Sequence, residues 1–301
     1  IENRGNPFEF DYKGYIARKG IHRQVFLNRD SWRTAGTDPV FRLTVYAEKT
    51  RDYLLGIYSR NGLSGTEYEI LSALTLGYKK SMDAEIKQVF SATGAAHVLA
   101  VSGLHVGIVY MVFNLFFGFL RRQKAMRYLF LILAVLFLWG FAFITGLSPS
   151  VQRSALMFTV VLAGDNLRRP ANIYNTLAAS ATLLLVADPN LLPDVGFQLS
   201  YAAVLGIVYF QPLLAEIFRF TSKAGNYVWG LFTVSVAAQM TTFPLSCFYF
   251  QQFPLFFWMS NFIVIPAAFL FIGLGMLILV TSPLPRISGF LAHAAALLVR
   301  G

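Results

Sequence analysis

From Ala95 onward the chain is a succession of apolar runs, each long enough or nearly long enough to cross a lipid bilayer. A bilayer core takes ~20 mostly apolar residues as a helix. Only helices and closed barrels keep their backbone polar groups satisfied there. The expected spans are 96–119, 128–147, 151–165, 171–187, 195–215, 227–249 and 255–281; the last run, 287–299, is too short and reads as incomplete. The run 151–165 is also short and contains Arg153, which marks it as a candidate half-helix packed against protein rather than lipid. Composition agrees: 56% of the 301 residues are hydrophobic and 13% are charged, where soluble domains carry about a quarter.

The fold class this predicts is an all-α polytopic membrane protein of about seven or eight membrane helices, one or more of them broken or short. Residues 1–37 are polar and rich in turn residues, and HRQVFL at 22–27 alternates weakly, so this part is expected to be a small β remnant. From Asp38 the pattern turns helical, with Leu43, Tyr46, Ala47, Leu54 and Ile57 near one face and Gly62 as the stop. Ser64 followed by Glu67 reads as a capping box ahead of Ile70, Leu71 and Leu74. In MDAEIKQVFSATG, Ile86, Val89 and Phe90 oppose Glu85, Lys87 and Gln88. Residues 38–94 are therefore expected to lie as amphipathic helices on the membrane surface. The opening residues carry no apolar stretch of the signal-peptide kind, and both ends read as cuts through a longer protein.

The formal net charge of +10 becomes informative only once it is located. Arg121, Arg122, Lys124 and Arg127 follow the first span, Arg168 and Arg169 the third, Arg219 and Lys223 the fifth, and Arg286 the seventh. The intervening loops, DPNLLPD at 188–194 among them, carry no Lys or Arg. Under the positive-inside rule this alternation puts the basic loops in the cytoplasm and residues 1–94 outside it. Cys247 is the only cysteine, so no internal disulfide or thiolate cluster is available.

Several polar residues lie within or beside the spans: His97, Ser102, His105, Asn114, Arg153, Gln198, Tyr201, Gln239 and Asn261. Such groups face a bundle interior or water rather than lipid. Helical spacing stacks Ser102 and His105 on one face. That pair reads either as a nucleophile with its base or as a packing surface, since no third group is placed to orient the imidazole. Gln198, Gln239 and Asn261 read as pore lining or as hydrogen-bonding ties between helices. His97 reads equally as a helix-end residue. Arg153 is the costly one, at ~2.5 kcal/mol or more for insertion. It follows Pro149 and Ser150 at a helix start, where backbone N–H groups favour anions, and the alternative is a structural partner.

HVLAVSGLHVG at 97–107 resembles the signature of the ComEC-type competence family, the DNA-internalisation channels of the bacterial inner membrane. GLSPSVQRSALM at 146–157, DNLRRPANIYNTLAASATLLLVADP at 165–189 and DVGFQLSYAAVLGI at 194–207 are similar to further blocks of that family, in order. TTFPLSCFYFQQFPLFFWMSNFIVIP at 241–266 is a looser match, and NPFEFDYKGYIARKGI at 6–21 resembles the end of the family's extracellular OB-like domain.

The resemblance implies an OB-like remnant at 1–37, surface helices at 38–94 and a transmembrane channel domain at 95–301 that passes single-stranded DNA. A strand crossing lipid needs a hydrated, polar path, and the residues available to line it are His97, Ser102, His105, Arg153, Gln198, Tyr201, Gln239 and Asn261. No catalytic residue, cofactor or metal is expected, because the metal-binding motif of the metallo-β-lactamase-like domain found in many relatives has no match here. The implied partners are single-stranded DNA, membrane lipids, a DNA receptor, cytoplasmic motor or strand-binding proteins and, for a two-chain pore, a second copy. The runner-up reading is a secondary transporter or lipid-linked substrate carrier; a third is an intramembrane hydrolase using Ser102 and His105.

The charge pattern makes a direct prediction. After replacement of Cys247, single cysteines labelled by a membrane-impermeant reagent on intact cells should react at 188–194 and stay unreactive at 120–127 and 166–170. External labelling of 120–127 would overturn the orientation.

Overall fold

The computed structural model describes residues 12–18, 21–25, 43–79, 82–86, 88, 99, 101–123, 126–167, 172–251 and 257–300. The chain forms two compact units, Ile1–Leu43 and Thr44–Gly301.

In the first unit, helix α1 spans Tyr12–Arg18. Ile16 is buried, and the Ile21 N–H donates to its carbonyl at 3.1 Å. Residues 21–25 have no regular secondary structure, and no strand occurs among the described residues. The strand expected at 22–27 is therefore not formed at 22–25, while 26 and 27 lie outside the described residues. A strand needs a neighbouring edge for its N–H and C=O groups, and weak alternation over six residues does not supply one.

The second unit is all helix. It runs α2 (Leu43–Arg60), α3 (Gly65–Leu76), α4 (Gly103–Phe117), α5 (Met126–Ile144), α6 (Pro149–Asn166), α7 (Ile173–Ala187), α8 (Val195–Ala215), α9 (Lys223–Phe250), α10 (Phe257–Val280) and α11 (Pro285–Arg300). A 3-10 turn, Gly118–Arg122, prolongs α4. Among the described residues, five helices are long and apolar enough to cross a membrane: α4 with its 3-10 extension, α5, α8, α9 and α10. Their outward faces carry large apolar side chains, such as Leu115 at 71% exposure and Ile263 at 74%. In water that would be an interaction patch; in lipid it is the contact surface. The chain is an all-α polytopic membrane protein.

The helices carry out the apolar pattern with instructive departures. α8 coincides with the expected span 195–215, and α9 extends the expected 227–249 at both ends. α6 is a full helix of 18 residues rather than a half-helix, entered through Pro149 in its first turn, where the missing N–H costs nothing. α4 begins at Gly103, and residues 101 and 102 are non-helical, so the first span starts later than the apolar run does. Val101 and Leu99 are buried, which explains why hydrophobicity alone placed them inside the helix.

The helix expected at 64–77 is α3, and it packs within the protein. Leu71, Ala73, Leu74, Thr75 and Leu76 are buried, as is Glu67 at 7% exposure. Ser64 is the N-cap but makes no side-chain cap bond, and Gly77 closes the helix in the left-handed region at φ 67°. α3 is core because α10 brings Gly275 to it. A Cβ at Gly275 would collide with Thr75 Cγ2 and lie 2.9 Å from Leu71 Cδ2. The Tyr58 hydroxyl bridges the gap, 2.8 Å from Thr75 Oγ1 and donating to the Gly275 carbonyl at 3.2 Å. Burial raises the Tyr58 phenol pKa, so it stays a neutral donor. Of the expected helix at 83–92, residues 84–86 and 88 are helical, 83 is described and non-helical, and 87 and 89–92 lie outside the described residues.

Two groups of helices share this framework. α3, α4, α5, α6 and α10 bury one cluster around Val106, Leu138, Val151 and Ile272. α6, α7 and α8 bury another around Met157, Leu177, Leu184, Phe197 and Tyr201. α8 and α9 meet at Gly206, where a Cβ would clash with Thr241 Oγ1 and sit 2.5 Å from the Ala237 carbonyl oxygen. The Thr241 hydroxyl donates to the Ala202 carbonyl at 2.7 Å, the polar tie that close backbones allow.

These contacts predict that Gly275→Ala and Gly206→Ala each lower stability by about 1–3 kcal/mol through overpacking. Gly273→Ala, where nothing lies within 4 Å of the new Cβ, should be nearly neutral. Thermal unfolding of purified protein in detergent reads the three; an equal effect at Gly273 would contradict the packing.

Candidate functional site

The breaks between helices, rather than the helices themselves, assemble the polar site. The Ser148 hydroxyl at the start of α6 donates to the Val101 carbonyl at 3.5 Å, and Pro149 lies 3.9 Å from where a Cβ of Gly196 would be. The N-terminal ends of α4, α6 and α8 thus meet at one end of the bundle. At the other end Arg121 pairs with Asp165 at 3.5 Å, and Arg127 donates to the Asp165 carbonyl. The basic loop after α4 and the end of α6 therefore share a side, as an alternating topology requires.

Between α5 and α6 the chain reverses over four residues. Gly146 and Leu147 both take positive φ, 87° and 52°, and the Leu147 N–H donates to the Ala142 carbonyl at 2.9 Å. Leu147 pays steric strain in that conformation. The tight turn delivers Arg153 one turn into α6.

Arg153 is 6% exposed. Its Nε donates to Ser200 Oγ on α8 at 2.7 Å, its Nη1 to Met157 Sδ at 3.4 Å, and its guanidinium lies 5.7 Å from the centre of the Tyr201 ring. Nη2 reaches the start of α4: a Cβ on Gly103 would sit 3.2 Å from it and 2.8 Å from Ser154 Oγ. Only glycine admits this approach. No carboxylate among the described residues pairs with Arg153. Tyr201 is fixed in turn, its hydroxyl 2.9 Å from Ser180 Oγ on α7.

Ser102 and His105 adopt a different relation from the stacked pair expected. Ser102 is the N-cap of α4, extended at φ −123° and ψ 179°, and its backbone N–H donates to His105 Nδ1 at 3.1 Å. The imidazole takes the place that a glutamate has in a capping box. Because Nδ1 accepts, the ring proton sits on Nε2, and the Ser102 hydroxyl at 3.0 Å also donates to Nδ1. His105 is fully buried, and its Nε2 has no partner among the described residues. The pair closes a helix end, with His105 fully buried.

The remaining residues form ties. Gln198 donates to the Leu192 carbonyl and accepts from the Tyr249 hydroxyl, both at 2.9 Å. Asn261 donates to Ser235 Oγ at 3.1 Å, linking α10 to α9. Gln239 is half-buried, and His97 lies outside the described residues. Arg153, Tyr201 and the start of α4 are together; Gln198 and Asn261 serve separate helix contacts. Ser154, Ser180, Ser200 and Gly103 were not singled out as site residues. Their signal was faint: serines in apolar helices, 47 residues apart in the case of Arg153 and Ser200.

Comparison with known proteins completes the description. Residues 74–301 match the family model described as competence protein. The chain is 30% identical over 264 residues to ComE operon protein 3 of Bacillus subtilis, covering 86% of this chain and 32% of that protein. It is 24% identical over 206 residues to Recombination protein 2 of Haemophilus influenzae, covering 65% of this chain and 26% of that one. It is also 32% identical over 164 residues to an uncharacterized protein of Aquifex aeolicus, covering 52% of this chain and 37% of that protein. The chain therefore spans about a third or less of the first two relatives' length. No solved structure matches it.

The capping geometry is testable by unfolding. His105→Leu strands the Ser102 N–H and should cost about 1–2 kcal/mol, whereas Ser102→Ala keeps that bond and should cost less. Equal or reversed losses in thermal midpoint would contradict the cap.

Proposed function

This chain belongs to the competence protein family, and from that premise we propose that it is the membrane channel through which single-stranded DNA is imported across the bacterial cytoplasmic membrane during natural transformation. The observation that carries the proposal is the family match over residues 74–301, which takes in α4 to α11. What the chain does within that role is positioning and conduction rather than catalysis. Residues 1–37 are the end of an extracellular OB-like domain that delivers the strand, and the basic loops at 120–127 and 166–170 face the cytoplasm. In this reading the lining residues are His97, Ser102, His105, Arg153, Gln198, Tyr201, Gln239 and Asn261. A DNA receptor hands the strand over, cytoplasmic motor or strand-binding proteins draw it in, and a second copy of the chain completes a two-chain pore.

The structure bears on how such a path would work. A wide cleft lined by Gln198, His105 and Arg153 is not present: His105 is sealed, Arg153 is 6% exposed, and Gln198 is turned to Tyr249. Among the described residues this seam is tight, so passage of a strand requires α6 to part from α4 and α8. The contacts that would break are polar ones, Arg153 with Ser200 and Ser148 with the Val101 carbonyl. Polar contacts are replaced by water when a path hydrates, which apolar contacts are not.

Deleting the intact gene should abolish entry of labelled DNA into the cytoplasm while DNA still binds at the cell surface, and restoring the gene should recover entry. Normal transformation by the deletion strain would remove the channel reading.

A further inference from the structure

We infer that the N-terminal ends of α4 and α6, with Arg153 between them and Ser200 of α8 beside it, form a seat for a phosphate-type oxyanion. On the proposed function, from which this follows, the occupant is a phosphodiester group of the incoming strand.

Charge balance is the first reason. Arg153 is buried, and no carboxylate among the described residues pairs with it. A buried cation without a partner is costly. Its known contacts, Ser200 Oγ and Met157 Sδ, supply dipoles and no negative charge. Its surroundings aggravate the imbalance, because helix N-termini are themselves positive. Neither α4 nor α6 has an acidic residue in its first turn; the Ser102–His105 capping box that closes α4 brings no negative charge, and Ser148 makes no side-chain cap bond to α6. Asp194 caps α8 instead, where its Oδ1 accepts from the Phe197 N–H at 3.0 Å. Two helix starts without an acidic residue of their own thus converge with one guanidinium, while Asp194 at the third start is bonded to the Phe197 N–H and forms no ion pair with Arg153.

Geometry gives the class of ligand. First-turn N–H groups and hydroxyls are the donors that hold oxyanions at helix starts, and a guanidinium adds a planar fork that fits phosphate. Gly103 lets the start of α4 come close to Nη2, since any side chain would meet Ser154 Oγ at 2.8 Å. Ser102, Gly103 and Ser150, at the helix starts, remain partly exposed, so an anion can reach the seat from the end of the bundle.

The test uses purified full-length protein in an uncharged maltoside detergent and reads the thermal midpoint. At equal ionic strength, inorganic phosphate and a short oligothymidylate should raise it relative to chloride, and a peptide nucleic acid with a neutral backbone should not. Arg153→Gln should abolish the shift. Arg153→Lys should keep it with affinity about tenfold weaker, which guards against a folding defect in the glutamine variant. Gly103→Ala should lose it with the charge intact. Absence of any phosphate shift in the wild-type protein would overturn the seat. A shift given by phosphatidylglycerol and not by oligothymidylate would assign the seat to a lipid headgroup and overturn the strand as occupant. So would an Arg153→Gln gene that transforms normally. Loss of the deletion phenotype would count against the channel alone, because the phosphate shift is read without uptake.

Discussion

Lipid offers no hydrogen bonds, so every backbone N–H and C=O at membrane depth must be satisfied within the protein. That constraint decides most of this structure. It makes the apolar runs helices, and it makes each place where a helix stops a place where polar groups must be managed. The chain manages three of them together, at the starts of α4, α6 and α8. His105 accepts the free N–H of Ser102, Asp194 accepts that of Phe197, and Ser148 reaches the Val101 carbonyl. Arg153 is placed where those ends meet.

The polar residues within the helices then divide by what they hold. Tyr201 with Ser180, Gln198 with Tyr249, Asn261 with Ser235 and Thr241 with the Ala202 carbonyl each link one helix to another. Such bonds are modest individually, about 0.6 kcal/mol on average in one well-measured membrane protein. They gain from close approach, and Gly206 and Gly275 provide it by having no side chain to collide with Thr241 and Thr75. Arg153 stands apart from this set. Its bonds to serine and methionine position the guanidinium and leave its charge unbalanced.

The long helices were legible because an apolar run of membrane length has one low-energy conformation in lipid: 195–215 was read directly from Val195–Ala215. α3 was not, because Leu71 and Leu74 on one face look the same whether the face meets a membrane surface or another helix; Gly275, some two hundred residues on, decided it. The start of α4 was missed for a related reason, since Val101 is as apolar as any helical residue and only Ser102 with His105 marks the cap. At the site, the cost of a buried arginine singled out Arg153 from sequence alone. Its neighbours Ser200 and Gly103 were invisible, because serine and glycine in an apolar helix carry no signal until the partner is known.

The central claim is that a DNA strand passes through the bundle by way of the end where these helix starts meet. A photoreactive amino acid at Gly196, in full-length protein engaged with incoming labelled DNA in transforming cells, tests it most directly. The account predicts an adduct with the strand at Gly196 and none at Leu115 on the outward face of α4. Equal adducts at both positions, or adducts at neither while the DNA is taken up, would contradict it.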